Sequence, residues 1–391
     1  MLSSCPGAYP PVSRFHSDIG EAEFRNAISL SNDDPIPRQV SLWLRVPGGL
    51  GSRFDCDIAR LYREIDLVAR LVDRDREVIE LHVEAIDRER PIPMAAIREL
   101  SDTLRHQFHL SSAASREFGI DVNPEIVTPD QVAALSEFGF NRLGFSAGHL
   151  EPLLMVSARE SGFRSVSVVT FGAPATVELT VGMRPDRLVL HARDEDAPSR
   201  AHQAEVVLKY LDCADYRYVG PDFFALPDDD LALAAAGGQL HCGLFGFTQH
   251  AECDQFGFGA GAISRIGGCL TQNSVGPEIW RRELDTGRLP TRRGLCLTED
   301  DELRGELIQQ LLCRRQIEIH ELERGYGIDF RSYFAAEMAR LAPWLRRGLI
   351  QDSGDRIAVC SQEWPRLRSI ALCFDAYASS DARSQEAGRR H

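Results

Sequence analysis

Val40-Ser41-Leu42-Trp43-Leu44-Arg45-Val46-Pro47 runs into Gly48-Gly49-Leu50-Gly51-Ser52-Arg53-Phe54-Asp55-Cys56, and a helical pattern opens near Asp57. An extended run, a glycine-rich loop and an amphipathic helix make one βα unit. The alternation continues to about residue 220, with strand candidates at 42–46, 78–83, 118–122, 142–146, 166–170 and 187–190. Helices between them are marked by their punctuation: 93–106 follows Pro91-Ile92-Pro93, and 128–137 begins on a Thr-Pro cap. Six such units predict an α/β fold, an open (β/α)6 partial barrel of TIM type. A doubly wound sheet is the alternative that spacing alone leaves open.

Beyond Pro227 the character changes. Residues 228–236 are acidic and then alanine-rich, and 243–268 are rich in glycine and aromatic residues. Segments 298–326 and 330–347 read as helices, and 349–351 with 356–360 as a small ribbon before a helix over 367–377. This predicts a mainly helical, winged-helix-like C-terminal domain. The expected organisation is an N-terminal arm over 1–38, the barrel over 39–225, the C-terminal domain over 226–378 and a polar, disordered tail over 379–391.

With 391 residues, 43% of them hydrophobic, the chain can bury a large core. Its net charge of −14 argues against general nucleic-acid binding, which needs a basic face. Lys209 is the only lysine, so guanidinium groups, which suit carboxylates and phosphates, supply nearly all the positive charge. The ten cysteines include no CxxC pair and no zinc-like spacing, which predicts reduced thiols and no metal site. No apolar run reaches the roughly 20 residues of a membrane span, and Met1–Gly7 lacks a signal-peptide pattern. A cytoplasmic protein is the expectation.

Specific identity comes from ordered motifs. Tyr218-Val219-Gly220-Pro221-Asp222-Phe223-Phe224-Ala225-Leu226-Pro227-Asp228-Asp229 is followed by Leu240-His241, Gly246-Phe247-Thr248, Gly257-x-Gly259, Ala262-Ile263-Ser264 and Gln272-Asn273. Leu297-Thr298-x-Asp300-Asp301, Cys313 and Cys373-Phe374-Asp375 complete the series. In order and spacing this resembles the oxygen-independent coproporphyrinogen III oxidases, radical S-adenosylmethionine enzymes of haem biosynthesis. The resemblance runs from about Tyr9 to Tyr377. It implies a [4Fe–4S] cluster held by a CxxxCxxC loop after the first strand, with S-adenosylmethionine on the cluster.

At those loop positions this chain has Gly49, Arg53 and Cys56. Glycine has no donor atom, and a guanidinium does not ligate iron. The resemblance implies a histidine where Arg45 stands and a tyrosine where Trp43 stands. The glycine-rich turn expected after Leu81-His82 is Glu84-Ala85-Ile86-Asp87-Arg88, a polar pair expected after Asn141-Arg142-Leu143 is Gly148-His149, and an aspartate expected on strand 5 is Val168. Cys56 and Glu117 match cofactor-binding positions and read as vestiges of them. The expectation is a degenerate oxidase with no cluster or S-adenosylmethionine, binding a porphyrin or haem, or a protein partner such as a catalytic paralogue. The alternative is an active oxidase with atypical cluster ligands.

Arg45, Arg53, Arg88 and Arg265 are candidate anion ligands, and the barrel that the resemblance implies places the first three on loops at the strand C-terminal ends. The bland reading pairs them with Asp55, Asp57, Glu84 and Asp87. His82 and His241 either face a tetrapyrrole or satisfy core hydrogen bonds.

Overall fold

The structure, a computed structural model, describes residues 9–171, 174–191, 199–360 and 366–378, so the predicted disordered tail lies outside the described residues. Its strands are, in chain order, β1 (Val40–Val46), β2 (Glu77–Ala85), β3 (His109–Leu110), β4 (Glu117–Val122), β5 (Arg142–Phe145), β6 (Ser165–Phe171), β7 (Arg187–His191), β8 (Arg217–Gly220), β9 (Phe223–Ala225), β10 (His241–Gly243), β11 (Gly246–Thr248), β12 (Asp254–Phe258), β13 (Ile263–Ile266), β14 (Cys269–Asn273) and β15 (Thr291–Cys296). One open sheet runs β15-β14-β13-β12-β1-β2-β4-β5-β6-β7-β9-β8, with β3 against β2. The stretch from β12 to β7 is parallel throughout, and both flanks are antiparallel.

Every strand expected before residue 220 is present. The addition is β12, which crosses back from the glycine-rich region to pair with β1, bringing β13 to β15 into the same sheet. Helices α1 (Glu21–Asn32), α2 (Ser52–Ala69), α3 (Met94–Gln107), α4 (Pro129–Glu137), α5 (Pro152–Glu160), α6 (Pro174–Gly182) and α7 (Ser199–Cys213) precede or follow the strands, and α8 (Asp230–Ala236) and α9 (Pro277–Asp285) come later. Thr128 caps α4 through Gln131, as its Thr-Pro signal predicts.

Successive residues of a strand face opposite sides of the sheet. In β1, Val40, Leu42, Leu44 and Val46 are fully buried in the main core with Leu81, Val83, Phe118, Ile120, Leu143, Phe145, Val166, Val168 and Leu188. Burying each such side chain contributes about 1.5–3 kcal/mol. Ser41, Trp43, Glu80, His82, Glu117, Gly119, Asp121, Arg142, Gly144, Ser165, Ser167 and Arg187 are left to face the lumen. Many barrels fill this space with branched apolar residues; here it is polar, and small at five positions, Ser41, Gly119, Gly144, Ser165 and Ser167.

A second core, from Leu303 to Phe374, joins α10 (Glu299–Arg314), α11 (Ile319–Tyr326), α12 (Phe330–Tyr333), α13 (Ala335–Arg346) and α14 (Leu367–Ala371) to a small sheet of β16 (Gln316–Glu318), β17 (Ile350–Asp352) and β18 (Arg356–Val359). This is the expected winged-helix-like pattern with changes of detail: the helix expected over 330–347 is divided at Phe334 into α12 and α13, the helix expected over 367–377 ends at Ala371, and β16 adds a third strand to the ribbon. The single helix predicted over 298–326 breaks at Arg315, whose left-handed φ of 60° ends α10 before β16 begins.

Candidate functional site

Strand register sets the lumen's geometry. Trp43, His82, Gly119, Arg142 and Ser165 are consecutive register partners across five strands. Gly119 leaves room for His82, since a Cβ there would stand 3.1 Å from Nδ1. A Cβ at Gly144 would collide with Asp121. Two glycines therefore make space for two ionisable side chains at the upper end of the barrel.

There, Trp43 is sandwiched between His82, with ring centroids 4.0 Å apart, and Phe245, at 4.1 Å. Its indole N–H donates to Glu84 Oε1 at 3.3 Å. Arg45 Nε lies 3.3 Å from the same oxygen, and Arg45 Nη1 donates to the Ala260 carbonyl at 2.9 Å. His82 Nε2 is 3.5 Å from Asp121 Oδ2, an ion-pair separation. Burial opposes charge on His82, but Asp121, helped by Glu84 and Glu80, outweighs it and holds the imidazole above its ordinary pKa. Asp121 lies below the usual carboxylate range: burial would raise it, and the charges of His82 and Arg88 more than offset that.

The lower end is closed by an ion network. Arg142 pairs with Glu117 at 3.1 Å and with Asp230; Arg187 holds Asp229 at 2.9 Å and lies 3.6 Å from Glu117. Gln249 donates to Glu117 at 3.0 Å, and Thr248 donates to Glu80, whose pKa is raised by burial and then by the charge of Glu117. Between the two ends lies a cavity of about 190 Å³. That is below the roughly 300–1,000 Å³ of pockets enclosing a drug-sized ligand.

The predicted site residues divide. Arg45 and His82 meet at the upper rim, Arg45 on Glu84 as the bland reading has it; Arg45 lies within β1 and Arg53 in the first turn of α2, not on loops as expected, because strand pairing runs on to Val46 and the helix starts at Ser52. Arg53 is exposed, 3.9 Å from Glu278 rather than on Asp55 or Asp57, and Asp57 instead pairs with Arg281 and Arg60. Arg88 lines a second, largely apolar pocket of about 140 Å³ between the β2–α3 loop and α4. His241 is outside the lumen, 2.7 Å from Gln309 of α10, with its pKa lowered mainly by burial. Arg265, on β13, is also lowered by burial, against the charge of Glu302. Val168 faces the helices and not the lumen.

Cys56 is exposed on α2. The glycine loop before it packs under the β2–α3 connection: Gly49 N donates to the Pro91 carbonyl at 3.1 Å, and a Cβ at Gly48 would collide with the Arg90 carbonyl. Among the described residues no three His, Cys, Asp or Glu side chains are grouped to hold a metal ion. Glu117, the other vestigial position, is at the lower end of the lumen within the Arg142 and Arg187 network. That network was not singled out from the sequence. Its signal was there: polar residues alternate with apolar ones in every strand from β1 to β6, which marks a polar lumen.

A parallel partial barrel with this polar interior and a winged-helix-like C-terminal domain defines the radical S-adenosylmethionine coproporphyrinogen oxidase type of fold. A family model, the HemN C-terminal domain, matches residues 297–365. The oxygen-independent coproporphyrinogen III oxidase of Pseudomonas aeruginosa is 30% identical over 95% of this chain and 93% of its own, and that of Escherichia coli 27% identical over 98% and 94%. The solved structure of the Escherichia coli coproporphyrinogen III oxidase, a radical SAM enzyme, matches with a TM-score of 0.85 at 27% identity, covering 94% of this chain and 96% of that one. The chain belongs to the oxygen-independent coproporphyrinogen III oxidase family, as a divergent member without the CxxxCxxC motif.

Proposed function

We propose that this family member has given up cluster and S-adenosylmethionine chemistry and serves haem or porphyrin metabolism as a cytoplasmic binding protein for a tetrapyrrole or a partner protein. The observation that carries the reading is the donor set. A [4Fe–4S] cluster of this type needs three thiolates in one loop, and the loop offers Gly49, Arg53 and Cys56. The residues present do not fit the cluster. At the upper rim Arg45 is committed to Glu84 and Ala260, which leaves Arg53 and Arg88 as the candidate anion ligands on that face.

Anaerobic reconstitution with iron and sulfide tests it. The expected result is no stoichiometric iron and no reductive cleavage of S-adenosylmethionine. About four irons per chain, the content of one such cluster, together with cleavage overturns the proposal in favour of an active oxidase with atypical ligands. Titration with coproporphyrin and with haem then addresses the ligand: a saturable absorbance change, weakened in Arg53→Ala and Arg88→Ala, is expected for a tetrapyrrole binder. No change at all leaves only the partner-protein role.

A further inference from the structure

We propose that Cys269 and Cys296 form an oxidisable dithiol that closes to a disulfide across the β14–β15 edge and fixes the strand leading into the C-terminal domain. The two residues are 27 positions apart in sequence and direct register partners in the antiparallel pair. Their Sγ atoms are 4.0 Å apart. Directly opposed residues of antiparallel strands have Cα atoms about 4.5–5.5 Å apart, inside the roughly 4.4–6.8 Å that a disulfide spans. Rotation of the two side chains, with a slight inward shift of the paired strands, brings the sulfurs to bonding distance.

The two thiols differ in access, which sets the order of the exchange steps. Cys296 is exposed and Cys269 is buried. Burial first, then Cys296 and the charge of Glu23 on α1, push the Cys269 thiol up to about 12. The oxidant is a small-molecule disulfide of the glutathione class. The Cys296 thiolate attacks one of its sulfurs, and one thiolate leaves with the pair of electrons from the broken S–S bond. Cys269, on losing its proton, then attacks Cys296 Sγ and expels the second thiolate. Two protons pass from the protein thiols to the two leaving groups, so one disulfide is reduced and one is formed. The second step is the slow one at neutral pH, and it speeds up as rising pH increases the Cys269 thiolate fraction.

Position gives the bond its consequence. Cys296 ends β15, the next amide, Leu297 N, donates to the Gly268 carbonyl at 2.7 Å, and Thr298 then caps α10. A bond at this point ties the start of the C-terminal core to the edge of the main sheet.

The test uses the reduced full-length chain, oxidised glutathione and mass-mapped peptides. Cys56 and Cys213, also exposed, serve as internal controls. The expected outcome is glutathione adducts that persist at Cys56 and Cys213, while the adduct at Cys296 resolves to a Cys269–Cys296 link, faster as pH rises. In Cys269→Ser the Cys296 adduct should persist, and in Cys296→Ser Cys269 should stay unmodified. The linked chain should also unfold at a higher temperature than the reduced one. A wild-type Cys296 adduct that persists like the controls, or a link of either cysteine to another partner, overturns the proposal.

Discussion

Glu64 shows how one residue organises the upper rim from outside the lumen. It lies on α2 with 1% of its surface exposed and accepts from Asn273 Nδ2 at 2.6 Å, Trp280 Nε1 at 2.9 Å and Gly259 N at 3.1 Å. Gly259 and Ala260 are thereby fixed where Ala260 receives Arg45. Burial pushes the carboxyl up to about 7, against the three N–H donors that favour its charged form. Between about pH 4.5 and 7 the folded chain holds a proton that the unfolded chain has released, so this group's contribution falls as pH rises through that window. The loss is on the order of 3 kcal/mol once pH exceeds 7. Urea unfolding at pH 5 and pH 8 should show wild type losing more stability between the two than Glu64→Gln, which cannot titrate. Equal losses would assign the pH dependence to other groups.

At the scale of elements, the decisive piece is the hairpin of β10 and β11, whose loop places Phe245 on Trp43 and whose Phe247 fits over Gly220, where a Cβ would collide with its ring. The hairpin is a cover for the lumen, held from behind by Gln309, which reaches His241 and the Cys242 amide. Phe245→Ala should raise acrylamide quenching of the tryptophan fluorescence while leaving the unfolding midpoint nearly unchanged; unaltered quenching would mean that Phe245 shields nothing. The cover was hard to foresee. The strands β1, β2 and β4 to β7 announce themselves by apolar residues at alternate positions, whereas β12 reads Asp254-Gln255-Phe256-Gly257-Phe258, short and glycine-broken, and its partner β1 lies more than 200 residues earlier. Its place is fixed by contacts that no local pattern carries: Asp254 meets Arg76 in a buried ion pair at 2.5 Å, and Gly257 lets the backbone of Ile263 approach. The break at Arg315 was equally hidden, because no glycine or proline marks it. Arg45, Cys56 and His82 could be named from the chain, since each stands at a motif position. The network of Arg142, Arg187, Asp229 and Asp230 could not be assembled in the same way, because its members come from three elements and the turn before α8.

Over the whole molecule, the main core and the C-terminal core must be held together, and the first described residues of the chain do part of this. Tyr9 belongs to the C-terminal core, its ring 5.8 Å from that of Tyr377, and Arg14 lies 5.0 Å over the same Tyr377 ring. Seven residues further on, His16 exchanges two backbone hydrogen bonds with Gly294 of β15, at 2.9 and 3.0 Å, and α1 then packs Phe24 and Ile28 into the main core. The N-terminal segment is thus a strap from the second core across the edge of the sheet to the first. Tyr377 OH donates to Asp301 Oδ1 at 2.8 Å, so the strap's anchor also touches the first turn of α10. The Tyr9 hydroxyl is buried without a hydrogen-bond partner among the described residues, and burial, with Asp301 and Asp375, raises its pKa. The ring and the hydroxyl therefore act in opposite directions. Tyr9→Ala removes the anchor and should cost about 3–5 kcal/mol, the range for deleting a buried aromatic side chain. Tyr9→Phe removes only a buried donor left unpaired, which costs about 1–3 kcal/mol where it stands, so it should leave stability unchanged or raise it. Chemical denaturation of both variants separates the two effects. Amide exchange in α14 should quicken in Tyr9→Ala alone, because the strap packs on Tyr377 just beyond that helix; a loss of stability in Tyr9→Phe would show that the hydroxyl is satisfied and that the strap is held by polar contacts rather than by packing.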